Sequence, residues 1–282
     1  MSTNPASRIP SPAIAFIGGG NMARSLIGGL IRNGTPPQTI SVAEPNANVR
    51  AALAQDLSVA THADNADAAH NADALVLAVK PQVMKTVGAG LRDVAQARRP
   101  LILSIAAGIR IDQLDTWLGG NLPIVRCMPN TPALIGAGAT GACANAVCTS
   151  AQRAMAQNIL SAAGVVEWIA DEAQMDTITA LSGSGPAYFF LLTEALIEAA
   201  VTQGLPRDAA RELATQTCLG AGRMLREDGA APAELRRRVT SPNGTTQAAL
   251  DSFAASGFSD IVARAVAAAT KRGGELSAEL DL

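Results

Sequence analysis

Three stretches of this chain carry residue types that could do chemistry, and all are built from small or hydroxyl-bearing residues. Gly18-Gly19-Gly20-Asn21-Met22-Ala23 closes the apolar run Ala13–Ile17 and opens a helical pattern. The spacing is G-x-G-x-x-A. Gly18 permits a tight turn, Gly20 lets backbone approach a pyrophosphate, and Ala23 is small where helix packs on strand. The first turn, at Asn21 and Met22, would offer N–H groups and the positive end of the helix dipole to phosphates. Dinucleotide binding is the expectation; a plain glycine turn is the alternative. Leu181–Tyr188 (LSGSGPAY) and Val239–Gln247 (VTSPNGTTQ) each lead into a helix through small residues. Capping accounts for one hydroxyl per helix. The second loop holds Thr240, Ser241, Asn243, Thr245 and Thr246 within seven residues around Gly244. So many donors at a helix N-terminus read as a carboxylate cradle.

Other candidates lie where strands should end. Ser41-Val42-Ala43-Glu44 places an acid at the end of the second strand, where it would bond the ribose hydroxyls of NAD and repel the 2′-phosphate of NADP. A Glu44 that turns outward into solvent is the equal alternative. Ala78-Val79-Lys80-Pro81 follows the fourth strand and should reach the same crevice, with Lys80 facing phosphate or closing over the cofactor. In Ser104–Gly108, Ile105, Ala106 and Ala107 would let a flat ring lie against backbone. Arg126–Pro132 (RCMPNTP) is a stiff loop whose Asn130 would orient nicotinamide or substrate, unless the loop is an ordinary connection.

The chain is poor in strong catalytic groups. Among 282 residues it has two histidines, His62 and His70, one tyrosine, Tyr188, and three lysines, Lys80, Lys85 and Lys271. Cys127, Cys143, Cys148 and Cys218 show no CxxC spacing, which argues against zinc and against a disulfide framework; no metal site is expected. With 22 basic and 24 acidic groups the net charge is −2, so charge gives no reason to expect nucleic acid or an anionic membrane as partner. No apolar run approaches the ~20 residues of a membrane span. Met1–Pro12 is polar and Pro-rich, and Ala13–Ile17 runs into glycines, so this end reads as a strand rather than a signal peptide. A cytoplasmic location follows as the expectation.

Positioning these residues requires two kinds of element. Apolar runs at Ala13–Ile17, Thr39–Ala43, Ala74–Val79, Leu101–Ile105 and Pro123–Met128 alternate with helical patterns at 22–33, 47–55, 81–95 and 111–118. That alternation predicts βαβ units and a parallel sheet covered on both faces. Ser58–Thr61, Ala139–Ala144 and Val165–Ile169 could extend the sheet, with a helix over 150–163. After about residue 170 strand patterns stop and Ala- and Leu-rich helical segments follow. Pro186, Pro206 and Pro232 mark helix starts. The segment Tyr188–Val201 carries only two charges, Glu194 and Glu198. A helix this apolar is buried on several sides, so a partner subunit is expected. The expected organisation is α/β: a Rossmann-type parallel-sheet domain over 1–170, followed by an all-α substrate and dimerisation domain over 171–282.

GGGNMA, AVKPQ, SIAAG, RCMPNTPA, LSGSGPAY and VTSPNGTT, in this order and spacing, resemble the pyrroline-5-carboxylate reductases. The resemblance runs from about Ala13 to Ile261. It implies reduction of L-1-pyrroline-5-carboxylate by NAD(P)H to L-proline, the last step of proline biosynthesis. It also implies a homodimer whose active sites lie between the Rossmann domain of one subunit and the helical domain of another, and in this family dimers often assemble into a decamer of five. Mapped onto this chain, Thr246 is the catalytic hydroxyl that bonds the imine nitrogen. The N–H groups around Gly244 and Thr245, with Ser241 nearby, hold the substrate carboxylate. NADPH is the family expectation, and Glu44 opens the way to NADH. Asn243 stands where the family often has glycine, and Asn tolerates the left-handed backbone such a turn needs. Arg238 stands where the family frequently has Asn beside the substrate. A β-hydroxyacid dehydrogenase shares the two-domain plan but wants a helical lysine in the second domain, where only Lys271 is on offer. A non-catalytic nucleotide-binding regulator would not require the VTSPNGTT cradle.

Overall fold

A computed structural model describes residues 11–280. Its first unit alternates β1 (Ile14–Ile17), α1 (Asn21–Arg32), β2 (Ile40–Ala43), α2 (Ala47–Leu57), β3 (Ala60–His62), α3 (Asn65–Ala69), β4 (Ala74–Leu77), α4 (Pro81–Arg98), β5 (Leu101–Ser104), α5 (Ile111–Trp117) and β6 (Ile124–Met128). Then come β7 (Gly138–Ala144), α6 (Ser150–Ser161), β8 (Gly164–Trp168) and α7 (Met175–Ile178), which runs into a π-helical turn at Thr179–Gly183. The eight strands form one sheet in the order β3-β2-β1-β4-β5-β6-β7-β8. All neighbours are parallel except β6 and β7.

Both faces of the sheet are covered. Along β1, Ile14 and Phe16 point into a core with Leu26 and Ile27 of α1 and Ile159 and Leu160 of α6. Ala15 and Ile17 point into the opposite core, with Met84 and Leu91 of α4 and Leu114 of α5. A strand buried on both faces has no polar alternation, which is why these runs read as continuous Ile, Val and Leu. Helix starts are set locally. The Asn46 side chain accepts from the N–H groups of Asn48 and Val49 at 2.9 and 3.3 Å. Asp64 caps α3, and Thr149 forms a capping box with Gln152 on α6.

The second unit, Ser184–Ala269, contains α8 (Gly185–Thr202), α9 (Arg207–Glu227), α10 (Pro232–Arg238), α11 (Thr245–Ala255) and the first half of α12 (Phe258–Glu279). Little of it is interior: Gly185, Ala210 and Leu235 are buried, while Phe189, Phe190, Leu191, Leu213 and Leu219 are exposed.

The compact units divide at Gly183–Ser184, for a packing reason, against the sequence boundary expected at 170. Residues 171–183 have no strand pattern, yet they stay on the sheet. The last part of α12, from Thr270, also belongs to the first unit: the backbone carbonyl of Leu280 accepts from the Gln113 amide at 3.4 Å. The expected elements otherwise differ at their ends. β4 stops at Leu77 rather than Val79, and α3 is an additional short helix.

Close helix-to-loop approach makes one position diagnostic. A Cβ on Gly29 of α1 would lie 2.0 Å from the Ala162 carbonyl oxygen. Gly to Ala inside a helix ordinarily stabilises by roughly 0.5–1 kcal/mol. Here Gly29→Ala should instead destabilise by about 2 kcal/mol, the cost of forcing packed backbone apart, measured as a lower urea midpoint at unchanged slope.

Candidate active site

The carboxyl ends of β1, β2, β4, β5 and β6 share one edge of the sheet, and the sequence-predicted cofactor residues gather along it. Gly18 leaves β1 at φ 101°, and a Cβ there would sit 2.7 Å from the Ala78 carbonyl oxygen. Its N–H donates to the Ala43 carbonyl at 2.8 Å, and the Ala78 N–H donates to the Ile17 carbonyl at 2.8 Å. The two loops are thereby tied to each other. A Cβ on Gly20 would meet open space. Gly20 caps α1 with no side-chain hydrogen bond, and no acidic residue occupies that first turn. Asn21 and Met22 begin the helix and Ala23 is fully buried beneath it.

Glu44 does not turn outward. Its carboxylate accepts from the Gly19 N–H at 3.1 Å and the Asn46 N–H at 3.0 Å, so the acid lies against the glycine loop. Behind it, the Arg50 guanidinium donates to the carbonyls of Glu44 and Pro45 at 2.7 and 2.8 Å. Ala78 and Val79 are half-buried, and Lys80 is exposed at the residue before Pro81, the start of α4. Ile105 is half-buried, Ala106 buried and Ala107 exposed. The Ala106 N–H lies 3.4 Å from the Ser104 hydroxyl.

Asn130, expected to orient nicotinamide or substrate, has its side chain engaged within the chain at the end of β6. Its amide donates to the Ser182 carbonyl at 2.9 Å and accepts from the Ala139 N–H at 2.9 Å. The side chain braces the chain.

Sequence reasoning missed the ionic centre of this unit. Arg126, 5% exposed, donates to Glu172 at 2.9 Å and faces Asp176 at 3.9 Å. Glu172 also accepts the N–H of Ile111 at the start of α5, at 2.9 Å. The partners lie far apart in sequence and in segments without a motif, so only an Arg in an apolar strand run hinted at the pair. Burial pushes the Cys127 thiol far above the usual thiol range and raises Cys143 and Cys148 as well. Such thiols are poor nucleophiles at neutral pH.

The hydroxyl cluster is intact in the helical unit. α11 is capped by the Gly244 backbone, with no side-chain cap and no acid in its first turn. Asn243, at φ 60°, supplies the left-handed turn before it. The Gly244 N–H donates to the Ser241 carbonyl at 3.0 Å, closing that turn. Ser241, Asn243 and Thr245 are exposed and Thr246 half-buried. The Thr240 hydroxyl donates to the Arg236 carbonyl at 2.6 Å and is thereby engaged. Arg238 pairs with Asp228 and Glu234, at 3.0 and 3.1 Å, and both acids raise its pKa. An anion presented to the first turn of α11 meets N–H groups, hydroxyls and a favourable dipole.

Comparison with known proteins agrees with both halves. Residues 172–276 match the family model described as pyrroline-5-carboxylate reductase dimerisation. Residues 13–108 match the one described as NADP oxidoreductase, coenzyme F420-dependent. The chain is similar to a Pseudomonas aeruginosa pyrroline-5-carboxylate reductase, 52% identical over 272 residues, 96% of this chain and 98% of the relative. A solved pyrroline-5-carboxylate reductase from Coxiella burnetii superposes with a TM-score of 0.92 at 42% identity, covering 95% of this chain and 99% of that one. A Plasmodium falciparum pyrroline carboxylate reductase with NADP bound superposes with a TM-score of 0.81 at 29% identity, covering 95% and 98%.

Replacing Arg126 by Met should leave Glu172 and Asp176 without their cation. Breaking a buried pair on one side costs roughly 3–5 kcal/mol. The two acids keep 26% and 29% side-chain exposure, so the low end, about 3 kcal/mol, is expected in urea unfolding.

Proposed function

The chain belongs to the pyrroline-5-carboxylate reductase family, and from that premise we propose how its residues share out the reaction. The protein is an NAD(P)H-dependent oxidoreductase that reduces the cyclic imine L-1-pyrroline-5-carboxylate to L-proline. Its C-terminal helical region is the dimerisation region of the family.

The residues on the sheet edge fit a dinucleotide. The turn at Gly18 excludes any side chain, Gly20 faces open space, and α1 begins without a cap. Gly18, Gly20, Asn21 and Met22 would hold the pyrophosphate. Ala78 to Pro81 and Ile105 to Ala107 would line the half that carries the nicotinamide. Bound there, the cofactor supplies a hydride at its nicotinamide ring.

The observation that carries the substrate assignment is the first turn of α11, which has backbone donors and two threonine hydroxyls and no acid or cap of its own. In this reading the Gly244 N–H holds the turn closed on the Ser241 carbonyl, and the first-turn N–H groups that follow it, beginning with Thr245, bind the carboxylate together with the Ser241 hydroxyl. Asn243 shapes the turn that presents them. Thr246 donates its hydroxyl proton as a hydrogen bond to the imine nitrogen or accepts one from the iminium. Holding two points of a small rigid ring fixes the third, the imine carbon, toward the hydride donor, so orientation supplies much of the rate. The carbon gains the hydride and the nitrogen gains a proton, taken from water when the neutral imine binds or already carried by the iminium, which gives proline. The substrate turn would face the cofactor edge of another subunit, in a homodimer and in a decamer of five such dimers, with the cytoplasm as the place of action.

Glu44 supports use of NADH alongside NADPH. Its carboxylate occupies the N–H groups of Gly19 and Asn46, where a 2′-phosphate would compete with a like charge. Glu44→Ser frees both donors beside Arg50 and should raise the NADPH-to-NADH ratio of kcat/KM by about tenfold, the scale of one removed charge contact. An unchanged ratio would show that this carboxylate does not sense the phosphate. Thr246→Ala should lower kcat/KM for pyrroline-5-carboxylate by about tenfold or more, the loss of one oriented hydrogen bond at the reacting centre. Oxidation of NADPH and NADH in separate assays with pyrroline-5-carboxylate tests the whole assignment, and turnover with neither would sink it.

A further inference from the structure

We infer that Asn130 is a positioning residue for the reduction, acting by pinning the turn that precedes α8 to the nicotinamide half of the cofactor edge. The inference rests on the reductase reading above and adds a residue to it.

Three contacts seat the segment 178–183 on the ends of β6 and β7. Ile178 lies over Gly141, where a Cβ would come within 2.5 Å of Ile178 Cγ2. Gly183 lies over Met128, whose Cε is 2.9 Å from where a Gly183 Cβ would be. Between them Ala180 is fully buried. The polar contact of the set is Asn130, which donates to the Ser182 carbonyl and accepts from the N–H of Ala139, just inside β7. Gly141 and Met128 face each other across the β6–β7 ladder, so all three contacts converge on one corner of the sheet.

That corner matters because of topology. β6 is parallel to β5 and β4, so Asn130 lies on the edge that carries Ala78 and Ile105. In a doubly wound sheet this second half takes the nicotinamide, and the half bearing Gly18 and Glu44 takes the adenosine. The pinned segment is π-helical at Thr179–Gly183. A π turn lacks the regular helical ladder and is used where a local backbone shape is needed. The Asn130 amide is nine-tenths buried, so it holds one defined geometry.

The donor half of the amide separates positioning from bulk. In Asn130→Asp the ionised carboxylate keeps the bond from Ala139 and loses the donation to Ser182, placing an oxygen against an oxygen. Protonation restores the donor. The expected result at pH 8 is a loss of about tenfold or more in kcat with pyrroline-5-carboxylate, the cost of a small misplacement. Binding of ADP-ribose, which reads only the adenosine half, should stay within twofold of the parent chain. The activity ratio of variant to parent should rise at least severalfold between pH 8 and pH 5.5; taking the ratio removes any effect of pH that variant and parent share, including on the substrate and on the charged groups Arg126, Glu172 and Asp176 of the same unit. Gly183→Ala, which presses a methyl on Met128, displaces the same turn without touching Asn130. It should also lower kcat and spare ADP-ribose binding. Full activity in both variants, or a deficit in Asn130→Asp that does not change with pH, overturns the inference. Failure of the parent chain to turn over pyrroline-5-carboxylate would instead overturn the reductase reading.

Discussion

Ile17, in the middle of the sheet, pairs with Ala43 on one side and Leu77 on the other, and Leu77 pairs with Ser104. This register decides where every cofactor-side residue ends up. One step beyond the ladder, the Gly18, Ala78 and Ile105 N–H groups still donate across the strands, at 2.8, 2.8 and 3.2 Å. The loops that leave the sheet therefore leave it level. A slip of one residue would invert each strand between the two cores and carry Phe16 and Ile17 to the wrong faces. The burial of both faces thus holds the chemical edge in line, with buried Leu53 beneath Gly19 and buried Ala106 tying the edge to the cores.

With that edge aligned, backbone supplies the donors that the proposed binding chemistry needs. α2, α3 and α6 satisfy their first N–H groups with Asn46, Asp64 and Thr149. α1 and α11 begin on glycine with no side-chain cap, and they are the helices we propose receive the cofactor and the substrate. A capping side chain would compete with the ligand for the same donors. Reduction of an imine by a borrowed hydride needs no covalent nucleophile and no metal-bound water. A chain with two histidines and three lysines is compatible with it.

Legibility in the sequence followed sequence distance. The glycine loop, the residue after each strand and the hydroxyl cluster are local patterns, and they could be read because strand, turn and helix lie within about ten residues of each other. The sheet and the helical region were legible for the same reason. Glu44 stayed ambiguous because one side-chain torsion decides its direction, and only the Gly19 and Asn46 bonds resolve it. Arg126 with Glu172 and Asn130 with Ser182 span 46 and 52 residues. Each partner looks ordinary in its own window. The later unit boundary has the same origin: residues 171–183 carry no strand pattern, and they are held to the sheet by these long-range polar contacts together with the packing of Ile178 on Gly141 and Gly183 on Met128.

The helical unit poses the opposite problem, since its sequence is strongly patterned but its own packing does not explain it. Phe190 and Leu191 on α8 are 69% and 66% exposed, and Leu213 and Leu219 on α9 are 60% and 57% exposed. A monomer that left such residues in water would forgo roughly 25 cal/mol for every Å² left uncovered. An open cavity of about 850 Å³ lined by Leu192, Leu196, Leu250, Phe253 and Phe258 lies within the same unit. Helices this apolar are stable when another copy supplies the missing side of the core, as obligate dimers do. The match of this region to a dimerisation family then has a physical content. The α11 turn that carries Thr246 is built on these same exposed helices, so a second copy that covered them would also steady the turn proposed to hold the substrate.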